Sequence, residues 1–310
     1  MRAMERPLTI KQVIEDIANP EKPLQNSRLA DLSNISSENL AYFEHNWIAI
    51  RVERRRQIIN RLVELAEENF ELNFDGIFKF CLKDSDPEIR VKAIEGLWEN
   101  EETSLITPLI RMLNEDTSEM VQAAAAKALS KYAMLAELKK LGPASASRVS
   151  QALLAILADK TRPREVWRRA LEAAAPLSIP EVRQAIQEAY QSNDPRLKNS
   201  AIFAMGRNCD SSWLPTLLKE MTSPDPETRY EAAGACGEIC DEGAVPLLIK
   251  LTGDKDPEVQ QAAIQALGKI GGAKAKQHLL KCLNSPDEIV SEAAEEALRQ
   301  LEIEEDTFIL

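Results

Sequence analysis

DPEVQQAAIQALG at 256–268 aligns without a gap on DPETRYEAAGACG at 225–237 and DPRLKNSAIFAMG at 194–206, and DEIVSEAAEEALR at 287–299 continues the series. The step is 31 residues each time. Val166 carries the register backwards, through Leu197, Thr228, Val259 and Val290. Alanine recurs four residues later (Ala170, Ala201, Ala232, Ala263, Ala294) and seven residues later (Ala173, Ala204, Ala235, Ala266, Ala297). Two earlier units fit the same template, from Ile89 (Ala93, Gly96, Leu97) and from Val121 (Ala125, Ala128, Leu129). Offsets 0, +4, +7 and +8 fall on one face of a 3.6-residue helix, and small side chains there let neighbouring helices approach closely.

The rest of the unit is equally regular. Aspartate caps free N–H groups at a helix start, and proline is tolerated in the first turn, so Asp-Pro marks the beginning of each first helix. Gly206, Gly237 and Gly268 recur at +9, which suits a helix C-terminus and close packing. A second helix keeps its own register at Ile186, Leu217, Leu248 and Leu279, with Pro215 and Pro246 at its start. The prediction is an all-α protein, an α-α superhelix of stacked helix pairs in which each unit buries its apolar face against its neighbours.

The stretches 225–251 and 256–272 resemble HEAT repeats, of the subtype also found in phycobilisome-lyase-like proteins, and the likeness covers about residues 83–301. Repeats of this subtype mostly carry Arg after the first apolar position. Arg90 and Arg229 keep it and Lys198 nearly does; Gln122, Trp167, Gln260 and Ser291 do not. The resemblance implies a HEAT-repeat α-solenoid whose Asp-Pro helices line a concave groove.

Two regions depart from the register. Val121 to Val166 is 45 residues, and the surplus lies around KKLGPASASRVS (139–150), which reads as a loop between longer helices. Residues 1–80 read as a divergent helical cap on an array running from 81 to 310. In the cap, Thr9–Ala18 reads as a short helix and residues 19–23 as a turn. Ser36 begins a long amphipathic stretch to about Asn69, with Ile48, Val52, Ile59, Leu62 and Ala66 as its apolar stripe. Residues 302–310 read as a frayed or acidic tail.

Motifs that carry chemistry are sparse. There are two histidines, His45 and His278, and no His-Glu dipeptide, which sets the chain apart from HEAT-like deoxyhypusine hydroxylases that hold two irons with such pairs. Neither a metal nor a cofactor is expected. No Gly-x-Ser-x-Gly, Walker loop or dinucleotide fingerprint occurs. Cys209 and Cys240 lie one repeat apart and Cys236 lies four residues before Cys240; they read as space-filling residues at helix ends, with thiol chemistry or metal binding as the competing reading. Five cysteines without framework spacing fit reduced thiols in a cytoplasmic protein. The start, MRAMERPLTIKQ, lacks the apolar core of a signal peptide, and no run of residues is long and apolar enough to insert in a membrane.

The formal net charge of -12 argues against nucleic acid as partner unless a local basic patch reverses the field. Two such patches exist: Arg51, Arg54, Arg55, Arg56 and Arg61 on one helix, and Lys160, Arg162, Arg164, Arg168 and Arg169. Arg51, Arg54 and Arg55 are the candidate dock for an acidic partner; the plainer reading is a solvated face. In the groove, offsets +2 and +6 face outward. Phe203 and Tyr230 are aromatic there, Arg168 and Arg207 border them, and Trp167 replaces the usual Arg. Aromatics and arginine dominate interface hot spots, so these five residues are the candidate partner-binding site, with mutual packing of Phe203 and Tyr230 as the alternative. The leading expectation is a non-catalytic scaffold for a protein partner. The alternatives are a lyase-like or oxidoreductase-like protein acting on a tetrapyrrole or protein substrate, as the subtype implies, and a DNA-associated HEAT protein.

Overall fold

The computed structural model describes residues 8–307. Met1–Pro7, which include most of the stretch tested for a signal peptide, and Phe308–Leu310 lie outside the described residues. The described chain is helical, with no strand, and forms two compact units that divide between Tyr132 and Ala133.

The first unit contains α1 (Ile10–Ala18), α2 (Asn26–Ala30), α3 (Ser37–Trp47), α4 (Val52–Glu68), α5 (Asp75–Cys81), α6 (Pro87–Gly96) and α7 (Ile106–Glu115). The division falls within α8 (Glu119–Glu137). The second unit continues with α9 (Pro143–Ala158), α10 (Arg164–Ala174), α11 (Pro180–Tyr190), α12 (Pro195–Asn208), α13 (Leu214–Glu220), α14 (Pro226–Ile239), α15 (Val245–Leu251), α16 (Pro257–Ile270), α17 (Gly272–Cys282) and α18 (Glu288–Thr307). First helices stack side by side: α10 on α12, α12 on α14, α14 on α16, and α16 on α18.

The Asp-Pro starts behave as their chemistry demands. Asp86, Asp194, Asp225 and Asp256 are extended N-cap residues whose carboxylates accept first-turn N–H groups, and Pro87, Pro195, Pro226 and Pro257 open their helices. The register alanines from Ala170 to Ala297 are buried, and the glycines at +9 explain how closely the stack is drawn together. A Cβ on Gly206 would lie 2.6 Å from Ala235 Cα; on Gly237, 2.9 Å from Ala266 Cα; on Gly268, 2.9 Å from Ala297 Cβ. These glycines are contact points and lie inside their helices. The C-caps come three residues later, where Cys209 and Cys240 adopt left-handed backbone (φ 53° and 56°) and Gly271 has φ 67°.

The position after the first apolar residue stitches turn to turn. Arg90 donates to both carboxylate oxygens of Asp116 (2.8 and 2.7 Å) and to the carbonyl of Asp84; Arg229 repeats this on Asp254 (2.8 and 2.7 Å) and on the carbonyl of Ser223. Gln122 and Gln260, which replace Arg there, keep the bond to the carbonyl six residues back, at Asp116 and Asp254. Lys198 reaches Glu220 at 2.7 Å, and Ser291 the carbonyl of Leu283. The glutamines therefore keep the carbonyl tie and lose the aspartate pair, while Lys198 and Ser291 tie to other partners.

Several expectations need correction. The stretch from Ser36 to Asn69 is two helices, α3 and α4, broken at residues 48–51. Asn46 uses its side chain on the Tyr42 carbonyl, Trp47 turns inward to donate its indole N–H to Asp84 at 2.6 Å, and Ile48 is left exposed instead of joining the stripe. The 139–150 surplus is mostly helix: α9 starts at Pro143, leaving a turn only at residues 138–142, in which Lys139 has φ 58°. Proline at a first helical position starts a helix as readily as it ends one. Residues 302–307 continue α18. The short helix α1 forms where expected, with Thr9 and Gln12 in a reciprocal capping box. Before residue 80, α4 packs on α6 as first helices do elsewhere.

Candidate partner-binding groove

The outward offsets of α10, α12 and α14 carry the candidate residues, and their surroundings change from one helix to the next. On α10, Arg168 donates to Glu165 (2.6 and 2.9 Å), to Glu172 (2.9 Å) and to Ser200 Oγ on α12 (2.9 Å). Burial opposes its charge, but Glu165 and Glu172 outweigh that and hold the guanidinium above its ordinary pKa. Ser200 in turn donates to Glu172 (2.6 Å). Arg169 is paired with the same two glutamates. This part of the face is electrically closed.

One repeat further on, the same places hold different residues. Phe203 takes the position of Glu172, Asn199 that of Arg168, and Glu231 that of Ser200. The carboxylate moves to the next helix and its arginine is gone. Among the described residues Glu231 has no salt-bridge partner, and neither does Glu227 one turn earlier. Burial, then the charges of Glu172 and Glu227, push Glu231 up to about 7 against the pull of Arg168. Phe203 and Tyr230 keep 38% and 43% of their surface exposed. Gly234, at the outward +6 position of α14, has open space where a Cβ would be.

The remaining candidates are placed elsewhere. Arg207 donates to Glu238 (3.3 Å), which also receives Lys269; these three residues, 31 apart, form a charge ladder from unit to unit. Trp167 is 8% exposed and sits at the stitching position, off the outward rows; its indole N–H donates to the Leu157 carbonyl (3.0 Å) and Lys160 lies over the ring at 4.7 Å. Where another unit would place an aspartate for an arginine in this position, Ser192 stands. A cavity of about 520 Å³ opens there, lined by Trp167, Lys160, Arg164, Glu188, Ser192 and Leu197. The basic patch around it is internally paired: Lys160 with Glu188, Arg162 with Asp159, Arg164 with Asp194.

In the first unit, the arginine cluster is largely committed to the fold. Arg54 is 7% exposed and donates to the carbonyls of Ile17 (2.7 Å) and Lys22 (2.9 Å), tying α4 to the end of α1. Arg55 pairs with the buried Asp84 (2.5 Å), and Arg56 with Asp86 and Glu88. Of the three dock candidates, Arg51 alone is exposed. A helix pattern tells which positions face outward, not that a long side chain at such a position will fold back onto a carbonyl.

The five cysteines form no disulfide. Burial pushes the thiols of Cys81, Cys236 and Cys209 up, Cys236 to about 12, opposite to the direction a nucleophilic thiol needs. Cys209 and Cys240 point their sulfurs at the carbonyls of Gly206 and Gly237. His45 is exposed, and His278 shares a hydrogen bond with Thr252 (2.8 Å). Among the described residues no group of His, Cys, Asp and Glu is arranged to hold a metal ion, and no helix is long and apolar enough to cross a membrane.

The family model for HEAT repeats matches residues 74–163 and 214–299, together more than half of the chain. Among solved structures, yeast importin-beta (Kap95p) is similar at 13% identity, over 94% of this chain and 46% of that one, with a TM-score of 0.52. The chain thus spans less than half of importin-beta. Human deoxyhypusine hydroxylase matches at 17% identity over 94% of this chain and 96% of its own (TM-score 0.37), and a designed armadillo repeat protein in complex with a (KR)4 peptide at 21% over 63% and 99% (TM-score 0.41). These likenesses concern the fold. No curated protein matches the chain.

Proposed function

We propose that this chain, which belongs to the HEAT-repeat family, is a non-catalytic scaffold that holds a protein partner in a groove lined by its first helices, with Phe203 and Tyr230 at the centre of the contact. The break in pairing at α12 and α14 supports this: the Arg168–Glu172–Ser200 network gives way, 31 residues on, to Asn199, the exposed Phe203 and Glu231, a carboxylate in no salt bridge among the described residues, and the exposed Tyr230 precedes Glu231 on α14. Exposed aromatics held on rigid helices are the usual anchors of an interface. Arg168 and Arg207 border the contact as neutralised framework, and Trp167 supports α10 from the stitching position. We assign the repeats to the phycobilisome-lyase-like subtype on the resemblance of residues 225–251 and 256–272, and a reducing, cytoplasmic setting on five cysteines without framework spacing.

The test is affinity capture from the native source, followed by reconstitution with the purified partner. The pair Phe203→Ala and Tyr230→Ala should weaken the complex by at least about tenfold. A fully retained complex with both aromatics removed would refute this placement of the contact.

A further inference from the structure

A second surface, in the first unit, has its own claim to a partner. Phe70, in the turn after α4, is 77% exposed, and Trp98, in the turn after α6, is 60% exposed. Both line one cleft of about 230 Å³, together with Leu72, Phe74, Phe78 and Asn100. Gly96 lets the Phe78 ring form part of that lining, because a Cβ there would lie 2.6 Å from the ring. The Trp98 turn is held firmly. Lys131 donates to the carbonyls of Leu97 (2.8 Å) and Trp98 (3.1 Å), Asn100 donates to Asp75 (2.5 Å), and the Tyr132 hydroxyl donates to the Glu102 carbonyl (2.9 Å). Trp98 is thus kept in water by a turn fixed at several points, and Phe70 stands in a separate turn, where the Glu71 N–H donates to Asn69 Oδ1 (3.0 Å). Exposed apolar groups that share one cleft are a feature of interaction sites.

Size and charge define the occupant. Pockets for whole small molecules run to roughly 300–1,000 Å³, so this cleft suits one apolar side chain of a larger partner. Glu99 lines the cleft, and Glu67, Glu71 and Glu101 are next in sequence to lining residues; all four are exposed and in no salt bridge among the described residues. The nearby cations Lys79 and Arg61 are already paired, with Glu102 and with Glu64 and Glu68, and Lys131, which feels the charge of Glu101, is committed to the carbonyls of Leu97 and Trp98. We infer that the Phe70–Trp98 cleft docks a basic amphipathic segment of another protein, which inserts one aliphatic or aromatic side chain between the two rings and sets lysines or arginines against Glu67, Glu71, Glu99 and Glu101.

Trp98 is its own probe, since Trp47, Trp167 and Trp213 are buried. The experiment follows acrylamide quenching of tryptophan fluorescence in the full chain while titrating three synthetic peptides: a lysine–leucine amphipathic helix, its glutamate–leucine counterpart, and a lysine–serine peptide of equal charge. The lysine–leucine peptide should shield Trp98 saturably, at least about tenfold more tightly than either control. Phe70→Ala, and separately Glu99→Gln with Glu101→Gln, should each lose about that factor, while Phe203→Ala with Tyr230→Ala leaves it unchanged. Both pairs lie on exposed positions, and unchanged thermal melts confirm folding. Equal shielding by the glutamate–leucine peptide, shielding indifferent to Phe70→Ala, or shielding produced by protein concentration or lipid vesicles alone would each overturn the inference.

Discussion

Gly206 lies so close to Ala235 that a Cβ on the glycine would come within 2.6 Å of the alanine Cα and 2.8 Å of its Cβ. This contact draws α12 onto α14, and Gly237–Ala266 and Gly268–Ala297 repeat it along the stack. Inside an ordinary helix, replacing glycine by alanine stabilises by about 1 kcal/mol. Here the sign should reverse: Gly206→Ala should cost about 1–3 kcal/mol through overpacking, measured by denaturant unfolding. Gly234→Ala, on the same α14 with open space around it, is the control and should stabilise.

The helix ends carry an opposite opportunity. Cys209 and Cys240 cap α12 and α14 in left-handed backbone, where Gly271 caps α16. A side chain in that conformation costs roughly 1–2 kcal/mol. Cys209→Gly and Cys240→Gly should each raise the melting temperature in calorimetry. Alanine at the same positions keeps the Cβ and should give no such gain.

Register made the fold legible. Alanines 31 residues apart, the Asp-Pro starts and the paired prolines of the second helices all state a local rule that the structure obeys. What stayed hidden depends on where long side chains end. Nothing in the α4 pattern tells that Arg54 turns back to the Ile17 and Lys22 carbonyls, and nothing in the α3 pattern tells that the helix ends at Trp47, whose indole turns in to Asp84. The exposure of Trp98 depends on Gly96, Phe78 and Lys131 together, a tertiary arrangement with no periodic signature. At the candidate groove, the aromatics stood out as departures from register, but that Arg168 is spent on Glu165 and Glu172, leaving Glu231 in no salt bridge among the described residues, emerges only from the side-chain pairing.

The two arginines of the α4 start can be separated by stability. Arg54→Ala removes charge-assisted hydrogen bonds to two carbonyls and should cost about 2–3 kcal/mol. Arg51→Ala, at an exposed position, should fall within about 0.5 kcal/mol of the parent. Equal costs would mean that the inward course of Arg54 is wrong.

Glu231 predicts a pH dependence. Its folded pKa is raised from 4.5 to about 7 by burial and by Glu172 and Glu227, with Arg168 opposing. A carboxyl raised on folding adds stability that is complete below the unfolded value and is lost as pH climbs through the folded one. Glu231→Gln should therefore remove a decline in stability between about pH 4.5 and 7. It should gain on the order of 1–3 kcal/mol over the parent at pH 8, and little at pH 4. Parallel pH profiles for parent and variant would show that the carboxyl is solvated.

Hydrogen exchange on the purified complex with its captured protein partner reports where the partner sits without assuming which residues hold it. With the partner on Phe203 and Tyr230, exchange slows in α12 and α14 around them, and this protection is lost together with binding in the Phe203→Ala, Tyr230→Ala double variant. Protection confined to other helices, with α12 and α14 exchanging as in the free chain, would contradict it.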